Sequence, residues 1–374
     1  LDRERCTLCT RCVRFLAEVT KTHELGVVER GARSEISTFP GELVRSVDSG
    51  NLVDLCPVGA ITSTDFRFKT RPWFLSHADS ICPLCARGCN VVIDHHPGTA
   101  RVPGSARIYR IRPRRNDEVN GHFLCDHGRA GFVADSREGR RERIGWNRGG
   151  DMEAAWSWDK ALDFLAAKIR AVREAGRAGR IGWILHRGMT NEELGLVREL
   201  SAAIGAGSTA FADVPEGRAE GILLRADRNA NRAGAAALGF DPGPADPADV
   251  VGRSDLLLIF GTNRTIPPYA GAPESFDKVA AKVLFATHET PLAKRVDLVL
   301  PVAVTAENGG SFTNADGRVQ RFEAAVRAVD RERPDLCFLD VQMPEMDGFE
   351  VLRKVRHLPR VVFTTAHDRY AVRA

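Results

Sequence analysis

Apolar and polar residues alternate with a changing rhythm along the chain. Between residues 156 and 176, Trp158, Leu162, Leu165, Ile169 and Val172 recur every three or four positions, which predicts a helix that Gly176 ends. "RIGWIL" (180–185) then reads as a strand. "TNEELGLVRELSAAIG" (190–205) predicts a second helix, with Thr190 and Glu193 placed as a capping box and Leu194, Val197, Leu200 and Ile204 along one face. "SDLLLIFG" (254–261) and "AKVLFAT" (281–287) are short apolar runs of the kind that buried parallel strands use. Strands alternating with helices predict an α/β layered domain. The longest apolar runs, "LLLIF" (256–260) and "LVLPVAV" (298–304), fall short of the ~18 residues that suggest a membrane span.

Length and composition change this picture little. The 374 residues suffice for two or three domains, and the 43% apolar and 27% charged fractions are those of an ordinary globular protein. A net charge of +4 is too weak a bias to argue for nucleic acid. The chain starts at Leu1 without a signal peptide, and reads as a fragment.

The nine cysteines change it a great deal, because eight of them fall within the first 125 residues, in two groups. "ERCTLCTRCVRF" (4–15) carries Cys6, Cys9 and Cys12 with two residues between each, and Cys56 follows in "NLVDLCPVGA". A C-x2-C-x2-C run with a remote Cys-Pro is the bacterial ferredoxin way of holding a 4Fe-4S cube. Pro57 turns the chain away without adding a donor, and Gly59 allows a tight turn. "ICPLCARGCN" gives Cys82, Cys85 and Cys89, and "FLCDHGR" supplies Cys125 as a fourth thiol. Structural zinc is the alternative, but zinc prefers two pairs of ligands, whereas each group here is a triplet plus a single. Such spacing without a secretory signal argues for a reducing compartment and metal binding, not disulfides. His95 and His96 read as solvated loop residues. Arg11 and Arg14 suit either a role beside an anionic cluster or the plain surface.

"CTLCTRCVRF", "SGNLVDLCPVGAIT" and "RFKTRPWFL" resemble the large iron–sulfur subunit (75 kDa type) of NADH:quinone oxidoreductase, respiratory complex I. "CPLCARGCNV" and "FLCDHGR" resemble the 4Fe-4S domain that opens molybdopterin oxidoreductases, which that large subunit contains. "RVDLVLPVAVTAENGGSFTNADGRVQ" (295–320) is similar to a further stretch of the family, one that lies near the pterin in molybdoenzymes. Gly309, Gly310 and Gly317 suit a close backbone approach there, yet the chain is expected to keep the scaffold without the molybdopterin. No cysteine between Cys125 and Cys337 remains to ligate molybdenum. "GILLRADRNANRAGA" (221–235) reads as a solvated arginine-rich loop. Family members carry a further 2Fe-2S domain and a histidine–cysteine cluster ahead of the first group, so the start of the family's pattern is missing here.

After about Ala325 the character changes. "RPDLCFLDVQMPEMDGFEVLRKVRHLPRVVFTTAHDRYAVRA" resembles the centre of a response-regulator receiver domain, with Asp340 at the phospho-acceptor position, Met343-Pro344 and Asp347-Gly348 in the following loop, and Thr365 at the switch hydroxyl. The acidic pair and the lysine that phosphorylation needs are not recoverable, so the segment reads as a fusion or assembly product with an inactive Asp340, and Cys337 as a strand residue without a metal role.

The resemblance implies a mixed α/β chain in four units. These are a ferredoxin-like 4Fe-4S module (1–75), a small mostly β 4Fe-4S domain (78–130), a degenerate molybdopterin-oxidoreductase α/β domain (135–325) and a truncated receiver fragment (330–374). It implies an electron-transfer subunit with two 4Fe-4S clusters, one on Cys6, Cys9, Cys12 and Cys56 and one on Cys82, Cys85, Cys89 and Cys125. Its partners would be the other peripheral-arm subunits of complex I, at the cytoplasmic face of the inner membrane, with no nucleic acid and no membrane span of its own. A molybdenum- or tungsten-dependent oxidoreductase such as a formate dehydrogenase chain is the alternative, and a phosphorelay protein acting through the receiver a second.

Overall fold

The computed structural model describes residues 1–29, 31–96, 107–135, 139–148, 151–153, 156–240, 246–262, 274–325, 336–340 and 360–364. At the N-terminus, helix α1 (Arg11–Arg14) runs into a single π turn over Phe15–Val19, strands β1 (Gly26–Val28) and β2 (Glu35–Ser37) pair antiparallel, and helix α2 (Asn51–Leu55) ends at Cys56. Phe15, Leu16 and Leu52 form the small core of this part, with Cys12 and Ile61 packed on it.

Next comes a three-stranded antiparallel sheet of β3 (Ser76–Ile81), β4 (Asn90–His96) and β5 (Arg107–Pro113), followed by helix α3 (Asp126–Asp135). Val91 and Ile93 of the central strand are fully buried with Ile108, Ile111, Leu124 and Phe132. His95 and His96 are therefore not solvated loop residues: they end the central strand, His95 opposite both Ser76 and Ile108, and His95 is buried.

The sequence then builds a seven-stranded sheet. Its elements are β6 (Gly145–Arg148), β7 (Asp151–Glu153), α4 (Trp158–Glu174), β8 (Ile181–Leu185), α5 (Asn191–Ile204), β9 (Ser208–Phe211), α6 (Arg232–Ala237), α7 (Pro247–Arg253), β10 (Leu256–Gly261), α8 (Glu274–Asp277), β11 (Ala281–Ala286) and β12 (Leu298–Pro301). The spatial order is β7-β6-β12-β11-β10-β8-β9, parallel from β12 to β9 and antiparallel at β6 and β7. Strands covered on both faces need apolar residues at every position, and β10 shows why. Leu256 and Leu258 enter one core cluster, Leu257 and Ile259 the other.

Two helix details differ from the periodicity. In α4 the buried residues are Ala161 and Val172, with Phe164, Leu165 and Ile169 beside them, while Trp158 and Leu162 are exposed, so the buried stripe is rotated by about one position. In α5 the Thr190–Glu193 capping box forms as expected, and Leu200 is exposed. Residues 221–235 are likewise not a solvated loop. Arg232 opens α6, and Asn229, Ala230 and Asn231 are buried.

A hairpin of β13 (Gly310–Thr313) and β14 (Val319–Phe322) closes this part. A Cβ on Gly310 would stand 2.8 Å from Thr190, so this glycine serves the approach to the α5 cap. Gly317 turns the hairpin with φ +80°. Beyond it, β15 (Leu336–Asp340) and β16 (Arg360–Thr364) pair parallel with Asp340 level with Thr364. Thr365, Met343-Pro344 and Asp347-Gly348 lie outside the described residues.

Candidate iron–sulfur sites

Four thiols line one small pocket near the N-terminus: Cys6, Cys9, Cys12 and Cys56, with Ile36, Val58 and Ile61 around them. The run Cys6–Cys12 is wound by two non-glycine residues in the left-handed region, Leu8 at φ +56° and Thr10 at φ +58°. Each such residue costs about 1–2 kcal/mol. Left-handed residues set beside right-handed ones build backbone concavities of the kind that bind anionic centres. α2 delivers Cys56, and Gly59, at φ +66°, folds the next residues back over its sulfur. Ala60 donates its amide to Cys56 Sγ at 3.2 Å. Burial raises the Cys56 pKa, but the amides of Ile61, Val58, Ala60 and Gly59 outweigh it, and the net shift is downward. A thiol held toward its thiolate is ready to bind metal. Cys12 is raised instead, mainly by burial and also by its neighbours Cys9 and Cys6. Arg14 pairs with Glu18 on the surface.

The second group is enclosed. Cys82, Cys85, Cys89 and Cys125 are all buried, whereas Cys9 is exposed and Cys6, Cys12 and Cys56 are half-buried. The Cys82 amide bonds the Cys89 carbonyl at 2.9 Å and closes the loop. Gly128 in α3 ties the remote member to the triplet. Its amide points at Cys125 Sγ at 3.4 Å, and a Cβ on it would stand 3.4 Å from Cys82 Sγ. Burial first, then mutual repulsion among the four, pushes Cys82 and Cys89 far up, and burial pushes Cys125 up to about 11. Buried thiols that resist ionisation, as Cys82, Cys89 and Cys125 do, are relieved by a cationic metal centre, and loading would release their protons. Among the described residues no three or more His, Cys, Asp or Glu side chains gather as ligands of one metal ion. A cube makes a different demand, since its four thiolates bind four different irons.

The two groups are joined. Asn51 Oδ1, in α2, accepts from the Leu124 amide and from Arg129 Nη2, both at 2.9 Å. Asp126 accepts from the Gly50 amide at 2.6 Å and from the Ser49 hydroxyl at 2.5 Å. None of Asn51, Asp126 or Arg129 stands out in the sequence, because their partners are more than 70 residues away.

A separate pocket of about 130 Å³ opens at the carboxyl ends of the parallel strands, between His186, Glu193, Phe260, Phe285 and His288. That is where sheets of this type bind ligands.

Four family models match segments of the chain. The family described as "NADH-quinone oxidoreductase subunit 3, ferredoxin-like domain" matches residues 1–62, and "Molybdopterin oxidoreductase Fe4S4 domain" matches 76–133. "Molybdopterin oxidoreductase" matches 228–339, and "Response regulator receiver domain" matches 311–374. The matches are thus to iron–sulfur and molybdopterin-oxidoreductase modules, with a receiver-like segment behind them. In particular the chain is similar to the large iron–sulfur subunit of NADH:quinone oxidoreductase. It is 38% identical to an NADH-quinone oxidoreductase subunit of Streptomyces coelicolor over 180 residues, 48% of this chain and 20% of that protein. It is 34% identical to the NADH-ubiquinone oxidoreductase 75 kDa subunit of Reclinomonas americana over 266 residues, 69% of this chain and 35% of that one. The corresponding 78 kDa subunit of Neurospora crassa is 32% identical over 270 residues, 69% and 32% respectively. The chain therefore spans a fifth to about a third of the length of these relatives. A solved acetylene hydratase from Pelobacter acetylenicus overlaps 60% of the chain and 29% of its own, at a TM-score of 0.29 and 15% identity, too distant to argue from. Among the described residues no helix is long and apolar enough to cross a membrane.

Proposed function

We propose that this chain is an electron-carrying portion of an NADH:quinone oxidoreductase, with Cys6, Cys9, Cys12 and Cys56 holding one 4Fe-4S cluster and Cys82, Cys85, Cys89 and Cys125 a second. The observation that carries this reading is that each remote cysteine stands beside its own triplet. Cys56 shares a pocket with Cys6, Cys9 and Cys12, and Cys125 shares Gly128 with Cys82.

A bound 4Fe-4S cluster supplies one-electron transfer. The protein does the rest. Amides of residues 58–61 offset negative charge at Cys56. Exposed Cys9 offers an edge to an outside donor or acceptor, and the buried second group is shielded from water. Partners are the other peripheral-arm subunits of such a complex, at the cytoplasmic face of the membrane. Residues 1–75, 78–130 and 135–325 act as two cluster units and a scaffold that has lost its pterin.

Anaerobic reconstitution should load about eight irons per chain, four for each cube. Cys56→Ala should remove one paramagnetic signal and leave the other. Stoichiometric zinc without iron would end this reading.

A further inference from the structure

The β13–β14 hairpin clasps the second cysteine loop. Ala315 donates its amide to the Ala86 carbonyl at 2.9 Å, and Asn314 Nδ2 reaches the Arg87 carbonyl at 3.3 Å. On the other arm, Gln320 turns inward opposite Phe312. Its side chain faces Gly88, the residue before Cys89. A Cβ on Gly88 would come within 2.7 Å of Gln320 Oε1, and Gly88 holds φ +66°. Gln320 is only 7% exposed, and among the described residues neither Nε2 nor Oε1 has a partner.

That is an unusual cost. A buried amide group without partners forfeits the hydrogen bonds it would make in water, and folded proteins leave few such groups. A hydrophobic residue of similar size would fill the same space without that penalty. A carboxamide at this position therefore points to an acceptor that arrives with the second metal centre. Rotation about Cγ–Cδ exchanges its two ends within the same envelope, so the NH2 group can face the loop.

We propose that Gln320 donates a hydrogen bond from Nε2 to a sulfur of the second cluster, either an inorganic sulfide or Cys89 Sγ, and so raises that cluster's reduction potential. This rests on the ligand assignment above. Reduction adds negative charge to the sulfurs, so an N–H donor stabilises the reduced state more than the oxidised one. Gln320 is a positioning and tuning residue and takes no part in ligation.

The test is a potentiometric titration of the reconstituted full chain, following both clusters by their paramagnetic signals. Gln320→Leu removes the donor. Gln320→Glu keeps the shape, removes the donor and adds charge. Each should lower the reduced-to-oxidised ratio of the second cluster about tenfold at fixed ambient potential, which is 59 mV for one electron. The glutamate variant should shift further, and the first cluster should not move. Exchangeable deuteron coupling to the reduced second cluster should weaken in both variants. An unchanged second potential in the glutamate variant would overturn the proposal, as would equal shifts of both clusters. Failure of the parent chain to load a second cluster would instead overturn the ligand assignment, and the inference with it.

Discussion

Asn51 accepts the backbone N–H of Leu124 through its side-chain oxygen, at 2.9 Å. Asn51 opens the helix that delivers Cys56, and Leu124 is the residue before Cys125. The two remote cysteines are thus held in register by one buried side chain, which also donates to the Asp48 carbonyl at 2.9 Å. Phe15 and Phe123, with ring centroids 5.2 Å apart, pack across the same junction. Asn51→Leu would leave the Leu124 amide buried without an acceptor, a cost of about 1–3 kcal/mol. Both clusters should then be lost faster to an iron chelator under anaerobic conditions. Faster loss of the first cluster alone would mean that the two sites are not coupled through this residue.

Exposure separates the two sites. Cys9 is exposed, while all four thiols of the second group are buried. Oxidants and chelators attack where ligands are accessible. On exposure to air the first cluster's signal should decay well before the second's in the same sample. Simultaneous decay, or the reverse order, would contradict the burial argument.

Much of this was readable from the sequence, for identifiable reasons. The two cysteine triplets follow from local spacing, and β8, β10 and β11 from apolar runs that a doubly covered sheet requires. The α5 cap follows from Thr190 and Glu193, three residues apart. What the sequence did not reveal is long-range. Asn51, Asp126 and Gln320 are ordinary polar residues until folding brings their partners close. His95 looked solvated because nothing local says that β4 is the central strand of its sheet. The stripe of α4 was misplaced because Trp158 and Leu162 have the right period, yet the strand surface meets Ala161 and Phe164 instead.

Asp94 should make the three-stranded sheet acid-sensitive. Its carboxylate is fully buried. It accepts from Arg110 Nε at 2.6 Å and from Arg112 Nε and Nη2 at 2.8 and 2.9 Å, with His77 Nδ1 at 2.8 Å. Burial alone would raise its pKa, but the hydrogen bonds from Arg112 and Arg110 outweigh burial and hold it below the usual range. A lowered carboxylate contributes stability that is complete above its unfolded pKa of about 3.9 and is lost as pH falls through the folded value. Acid unfolding should therefore steepen below about pH 4. Asp94→Asn should cost about 2 kcal/mol at neutral pH and flatten that acid dependence. A variant with unchanged neutral stability would show that the arginines lose nothing when the charge is removed.

Asp340 has the local sequence of a phospho-acceptor, and its backbone ends β15 level with Thr364 of β16. Phosphoryl transfer depends on neutralising the charge of the incoming group, usually with a magnesium ion and a cation on the far side. In a receiver the magnesium is held by an acidic pair from an earlier strand. Here the chain ahead of Leu336 instead contributes β13 and β14, which are engaged with the second cysteine loop through Ala315 and Asn314. Residues 365–374, which follow β16, contain no lysine. The chain of residues 1–374 should therefore take up little phosphate at Asp340 from acetyl phosphate, with or without magnesium, measured by intact mass and a Phos-tag shift. Asp340→Asn should leave both readings unchanged. Stoichiometric, magnesium-dependent labelling that Asp340→Asn abolishes would mean that other residues of this chain complete a working receiver.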